Sequence, residues 1–172
     1  MGKSEIMRAR PILVGVIGAS RPDRRAAGDA CEVGRLIARR GAVLICGGLG
    51  GVMAEAARGA REEGGLTIGV LPGDDRRQAN PHIDIPIVTG MSYARNIIIV
   101  RSAHVLIAIG GSYGTLSEIA YALNLGVPLV GLGTWDVGKI DRGGTGFVTA
   151  ATPVEAVEKA FGRIQQNVRR PY

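Results

Sequence analysis

The sequence predicts a single α/β domain, a doubly wound and mainly parallel sheet with helices on both faces. Short apolar runs of strand length alternate along the chain with amphipathic helical patterns. Three of those runs end in clusters of small residues, mostly glycine. The chain has 172 residues, 46% hydrophobic and 21% charged, which is the size and mixture of one globular domain. Its 27 glycines follow no collagen period and sit beside apolar runs, so they mark tight turns. Residues 1–10 are polar and basic and are expected to form a flexible end, leaving residues 11–168 as the domain.

The run from Ile12 to Ile17 is continuously apolar, as a strand buried on both faces requires, and Gly18-Ala19-Ser20 ends it. Ala26, Ala30, Val33 and Ile37 then recur at helical spacing with arginines between them, and Gly41 closes that helix. A second unit repeats the plan: strand Ala42 to Cys46, turn Gly47 to Gly51, helix Val52 to about residue 63. Leu66 to Leu71 reads as a strand stopped by Pro72-Gly73, and residues 74–82 as a polar loop. Ile85 to Val88 reads as a short strand broken by Pro86.

Ser92 to Ser102 has the length and polar flanks of a largely buried helix. Val105 to Ile109 is a strand that leads into Gly110 to Thr115 and a helix with Leu116, Ile119, Ala120 and Leu123 on one face, closed by Gly126. Pro128 to Leu132 gives the last strand, and residues 133–146 a glycine-rich connection holding the only tryptophan, Trp135. Thr152-Pro153-Val154-Glu155 combines a capping box with proline at the first helical position and starts a final helix to about Val168. Its apolar stripe is Val157, Phe161, Ile164 and Val168.

Composition narrows the function. Lys+Arg exceeds Asp+Glu by 21 − 15 = 6, a modest basic excess read first as a device for solubility. Aromatic residues are 4% of the chain and scattered, which argues against a stacking platform for single-stranded nucleic acid. No apolar run approaches the ~18 to 20 residues that span a bilayer, and the start lacks a charged segment followed by an apolar core, so a cytoplasmic protein with no membrane partner is expected. Cys31 and Cys46 make no disulfide framework and read as buried thiols. The two histidines and two cysteines have no metal-ligand spacing. The lysines, Lys3, Lys139 and Lys159, fall in a tail, a loop and a helix surface, so Schiff-base chemistry with pyridoxal phosphate is rejected.

In an open parallel sheet, ligands bind beyond the carboxyl ends of the strands. Three such ends here carry small-residue turns: Gly18 to Ser20, Gly47 to Gly51, and Gly110 to Thr115. Glycine lets a backbone approach a ligand, and the helix start that follows offers unpaired N–H groups to an anion, so phosphate is the expected ligand group. The dinucleotide and P-loop fingerprints are both missing: Gly48-x-Gly50-x-x-Met53 lacks its third glycine, and no Gly-Lys-Ser/Thr exists. Glu118 stands three residues after Thr115 and projects toward the same mouth, where it either complements the helix dipole or engages a sugar or a proton. Arg95, followed by Asn96, interrupts a buried-looking segment, where a guanidinium calls for a carboxylate or phosphate partner.

At these residues the chain resembles the LONELY GUY and molybdenum-cofactor-carrier-like Rossmann proteins. The resemblance is carried by Gly47-Gly48-x-x-Gly51-Val-Met53, Arg95-Asn96 and Gly110-Gly-Ser-Tyr-Gly-Thr-Leu-Ser-Glu118, and spans about residues 11–132, with Thr152 to Ala160 resembling the closing helix. It implies a Rossmann-like fold and a homo-oligomer, a dimer. With the first strand-end turn added, the candidate binding site is drawn from Gly18, Ser20, Gly47, Gly48, Gly51, Met53, Arg95, Asn96, Gly110, Gly111, Ser112, Gly114, Thr115 and Glu118.

In the LONELY GUY enzymes the fingerprint is P-G-G-x-G-T-x-x-E, and an arginine and the motif glutamate cleave the base from a nucleoside 5′-monophosphate; the resemblance maps those roles to Arg95 and Glu118. Here Gly110 replaces the proline, Ser112 the second glycine, and Asn96 the usual lysine. The stretches Asn80-Pro81 to Met91, Ala94 to Asn96 and Val100 to Ser102 look closer to the carrier-like branch, whose ligand is a phosphate-bearing, molybdopterin-type cofactor held without catalysis. The expected function is therefore binding of a nucleotide or such a cofactor, with phosphoribohydrolase activity as the alternative. The DNA-processing proteins share the fold, and the low aromatic content speaks against their single-stranded DNA binding.

Overall fold

The computed structural model describes residues 10–138 and 146–167, so the expected flexible N-terminal end, most of the glycine-rich connection's second half and Val168 lie outside the described residues. In chain order the elements are β1 (Leu13–Gly18), α1 (Arg24–Arg39), β2 (Val43–Cys46), α2 (Val52–Glu62), β3 (Thr67–Leu71), β4 (Ile85–Val88), α3 (Asn96–Ser102), β5 (Val105–Ile109), α4 (Tyr113–Leu125), β6 (Leu129–Leu132), β7 (Phe147–Ala150) and α5 (Pro153–Asn167). The strands form one sheet in the order β4-β3-β2-β1-β5-β6-β7, and every neighbouring pair is parallel. The order reverses between β1 and β5, where Gly18 lies opposite Ile109, and a doubly wound sheet opens a crevice at such a reversal.

Side chains alternate along each strand, so each face has its own core. Val14, Val16, Leu44, Ile107, Ile109 and Val130 pack under α1, α2 and α5. Ile17, Ile45, Val70, Leu106, Ala108 and Leu129 pack under α3 and α4. The strands are therefore apolar on both faces, as their sequences indicate.

Helix boundaries follow local chemistry. Asp23 caps α1 by accepting the Ala26 N–H at 2.7 Å, and Gly126 ends α4 with φ 67°. At α5, Thr152 Oγ1 accepts the Glu155 N–H at 3.2 Å, while the Glu155 carboxylate accepts from the Ala151 N–H at 2.7 Å, one residue earlier than an ideal capping box.

Four expectations are corrected. Phe147–Ala150 is a strand, β7, between the connection that ends at 146 and the capping box at Thr152, where no element was expected; among the described residues it pairs only with β6 and is half-exposed, so its apolar pattern is weak. Pro86 does not break β4, because β4 is the edge strand and its proline sits where no ladder donor is needed. Residues 92–102 form a 3-10 turn (Ser92–Arg95) running into the short α3, not one helix. In α4, Leu116, Ile119 and Leu123 pack against the core as expected, but Ala120 is exposed and Ala122 takes its place, with Thr115 and Glu118 also buried.

α1 and α2 cross at glycines. A Cβ on Gly34 would overlap the Ala56 carbonyl of α2, and one on Gly59 would overlap the Cys31 carbonyl of α1. Gly28, on the exposed side of α1, faces open space. Gly34→Val is expected to lower the urea midpoint, because the overlap forces the helices apart at a cost of ~1 to 3 kcal/mol. Gly28→Ala is expected to raise it by removing ~0.5 to 1 kcal/mol of helix penalty. Urea unfolding of both variants measures the two opposite signs.

Candidate functional site

The three small-residue turns all leave the carboxyl edge of the sheet, at the ends of β1, β2 and β5. Two of them lock together. The Ala19 N–H donates to the Ile109 carbonyl at 3.4 Å, and the Val52 N–H donates to the Ala19 carbonyl at 3.0 Å. A Cβ on Gly18 would strike the Ile109 carbonyl and Val52, and one on Gly51, whose φ is 68°, would strike the backbone of Ala19 and Ser20. Gly18 and Gly51 thus let backbone meet backbone, and protein atoms fill the space beside them.

The β2 turn is pinned from outside. Asn80 Nδ2 donates to the carbonyls of Gly48 at 3.2 Å and Leu49 at 2.8 Å, and the Asn80 N–H donates to Gly48 at 2.9 Å. Asn80 reads from the sequence as a loop residue within the stretch that resembles the carrier-like branch, and its fastening role is hidden because its partners lie over thirty positions away.

Arg95 ends the 3-10 turn and is only 8% exposed. Its guanidinium lies over Gly47: a Cβ there would sit 2.5 Å from Nη1, 2.7 Å from Nη2 and 2.5 Å from Met53 Sδ. Gly47, Met53 and Arg95 therefore form one packed unit. Arg95 Nε is buried and has no hydrogen-bond partner among the described residues. Burial pulls the guanidinium below its ordinary pKa, opposed by Glu118 and Cys46. Arginine nonetheless remains charged, so a cation with an unsatisfied donor is held inside the crevice.

Glu118 projects from the first turns of α4 and is 7% exposed. Burial pushes its carboxyl up to about 7, against the opposing pull of Arg95. Near neutral pH it stands between its two protonation states, the condition for moving a proton. Cys46, at the end of β2, is buried and pushed up to about 11, mainly by burial, with the Gly48 N–H donating to its sulfur at 3.4 Å. It is a neutral thiol at physiological pH and no nucleophile. Asn96 is buried beside Arg95 in sequence.

The β5 turn shapes the start of α4. Gly110 has φ 58° and Gly111 φ 152°, values that side chains resist. Ser112 is the N-cap, and its N–H donates to Thr115 Oγ1 at 3.4 Å; Thr115 is 2% exposed. The first helical N–H groups, from Tyr113 and Gly114, have no carbonyl partner within the helix and carry its positive dipole end. Gly114 has open space beside it, with only Ser112 Oγ at 4.0 Å from a Cβ built there. Against Gly111 stand two side chains from the loop after β6: a Cβ there would lie 3.0 Å from Trp135 Nε1 and 3.2 Å from Thr134 Oγ1. The sequence flagged Trp135 only as the sole tryptophan and did not flag Thr134.

A parallel sheet with its reversal between β1 and β5, glycine turns at that point, and a buried arginine and glutamate beside them define a Rossmann-like protein with a candidate site at the reversal. The chain belongs to the SLOG cluster4 family, whose model matches residues 11–160. It is similar to the molybdenum cofactor carrier protein of Chlamydomonas reinhardtii, with 37% identity, a TM-score of 0.83, and 91% of this chain and 99% of that one covered. It is similar to the molybdenum cofactor binding protein of the phototrophic bacterium Rippkaea orientalis, with 34% identity, a TM-score of 0.82, and coverage of 93% and 99%. A probable cytokinin riboside 5′-monophosphate phosphoribohydrolase of Oryza sativa subsp. japonica is 32% identical over 106 residues, 59% of this chain and 47% of the rice protein. Among the described residues, no helix is long and apolar enough to cross a membrane.

Proposed function

We propose that the protein binds a phosphate-bearing small molecule in the crevice and does not cleave it. The observation that carries this reading is Arg95, a charged side chain buried to 8% exposure whose Nε lacks any partner among the described residues. An anion in the crevice satisfies it. The phosphate sits at Gly111 to Thr115, on the first N–H groups of α4, with Arg95 supplying charge across the pocket and Gly114 leaving room for approach. The organic part is a molybdopterin-type cofactor or a nucleotide, a reading supported by the likeness to the cofactor carrier and binding proteins. The family resemblance also favours a homodimer, which sedimentation at micromolar concentration tests.

A second reading has an observation of its own. A carboxyl with a pKa of about 7, next to a buried arginine, suits general acid/base work on a glycosidic bond, and the rice relative carries the name of such an enzyme. Two assays separate the readings: mass spectrometry of ligand released from freshly purified protein, and incubation with AMP and other nucleoside 5′-monophosphates. The expected result is a co-purified phosphate ester and binding without release of free base or ribose 5-phosphate. Turnover that Glu118→Ala abolishes, with nucleotide binding kept, establishes the hydrolase instead. An empty pocket, with no thermal shift from any nucleotide or pterin phosphate, defeats both.

A further inference from the structure

The β6 loop brings a second, different kind of surface to the same crevice. Trp135 follows the carboxyl end of β6, the strand next to β5, and is 43% exposed. Its indole Nε1 is one of the three atoms nearest to Gly111, inside the contact range that any side chain at 111 would need. Thr134 is oriented by packing: its Cγ2 methyl lies 2.9 Å from a Cβ built on Gly131, while its Oγ1 lies on the Gly111 side. That Oγ1 is buried and has no hydrogen-bond partner among the described residues. A hydroxyl without a partner and a half-exposed indole therefore flank the backbone of the phosphate loop. These two groups crowd any side chain at Gly111, whereas the space beside Gly114 is open.

We propose that Trp135 and Thr134 form the wall that recognises the organic part of the ligand, and that this part is a planar fused heteroaromatic ring. The inference rests on the phosphate site proposed above. With the phosphate on the first N–H groups of α4, the rest of the molecule extends over the Gly110-Gly111 turn toward β6. There the indole offers a π-face for stacking and Thr134 Oγ1 a hydrogen-bonding group for the ring edge. Purines and pterins share that chemistry: flat, bicyclic, with donors and acceptors on the rim. Trp135 and Thr134 are thus specificity-determining residues, while Arg95 and the α4 start set the affinity for phosphate.

The test is calorimetric titration of the full chain and of Trp135→Leu and Thr134→Val, with four probes: AMP, GMP, neopterin phosphate and ribose 5-phosphate. Aromatic stacking on a base is worth ~1 to 3 kcal/mol, so Trp135→Leu is expected to weaken the preferred ring-bearing probe about tenfold or more. Ribose 5-phosphate affinity is expected to stay within about twofold. Thr134→Val is expected to weaken the same ring-bearing probe while sparing ribose 5-phosphate. Because Trp135 is the only tryptophan, ring-bearing nucleotides are also expected to change the intrinsic fluorescence of the wild-type chain, and ribose 5-phosphate is not. The preferred probe identifies the ring, purine or pterin. Equal losses for ribose 5-phosphate and the ring-bearing probes overturn the assignment, as does an unchanged affinity for all probes in Trp135→Leu; in both cases the phosphate site stands. No heat with any probe in the wild type overturns the phosphate site and this inference together.

Discussion

Arg95→Ala is expected to lower affinity for a phosphate monoester about 100-fold while changing the stability of the fold much less. The charge-assisted bonds from a guanidinium to phosphate are worth up to ~3 kcal/mol, which is that factor. Stability moves differently because Arg95 is a buried cation whose Nε donor has no partner among the described residues. Burial without a hydrogen bond opposes folding, whereas the packing of the side chain against Gly47 favours it, so truncation removes a cost and a gain that offset each other. The two effects separate a ligand-binding arginine from a structural one: truncation of a structural arginine mainly costs stability, and truncation of a ligand-binding one mainly costs affinity. Titration with the copurified ligand or with AMP, beside urea unfolding at pH 6, where Glu118 is mostly protonated, measures both. Unchanged affinity removes Arg95 from the site. Arg95→Lys is expected to restore little, since an ammonium cannot reproduce the planar fork that lies against Gly47.

The fold was legible because strands buried on both faces leave a plain mark. Val14 to Ile17, Leu44 to Cys46 and Val105 to Ile109 are continuous apolar runs, and each lies in the sheet interior. The edges were less legible. β7 has one neighbour and an intermediate exposure, so Phe147 to Ala150 carries no such run, and β4 contains a proline that sequence rules place outside sheets unless the strand lies at an edge. Edge position is a property of the assembled sheet, which local patterns do not contain.

The site divides in the same way. Glycines at strand ends, an arginine in an apolar segment and a glutamate one turn after a threonine were visible in the sequence, and the structure places all of them along one edge. The reason Gly47 must be glycine was not visible, since Arg95 and Met53 reach it from other elements. Asn80, which fastens the β2 turn, and Thr134, whose hydroxyl points at Gly111, carry no local signal of these roles. Sequence reasoning finds residues whose chemistry is costly in their surroundings. It misses ordinary polar residues whose role depends on where the chain returns.

Glu118 supplies the second large effect, which depends on pH. Its carboxyl is pushed up to about 7 in the folded protein, from an ordinary value of 4.5, by burial. Between those values the native state holds a proton that the unfolded state has released, so stability falls as pH rises. The contribution is complete below about pH 4.5 and is lost as pH passes through the folded value near 7. The shift corresponds to ~3 kcal/mol at about 1.36 kcal/mol per unit. Glu118→Gln keeps the shape and cannot ionise, so its stability relative to wild type is expected to rise by ~3 kcal/mol between pH 4.5 and pH 8.5. Urea unfolding of both proteins across that range measures the difference, and parallel profiles would mean that Glu118 titrates normally. Ligand binding extends the argument. A phosphate dianion near Glu118 offsets the field of Arg95, the one group that holds the carboxyl down, so it raises the pKa further. Binding at pH 7.5 is therefore expected to take up a proton at Glu118. Titration heats in buffers of different ionisation enthalpy report that uptake, and Glu118→Gln is expected to abolish most of it. An uptake that survives in Glu118→Gln would belong to the phosphate itself, whose second pKa lies near ~6, and would separate the glutamate from the bound anion.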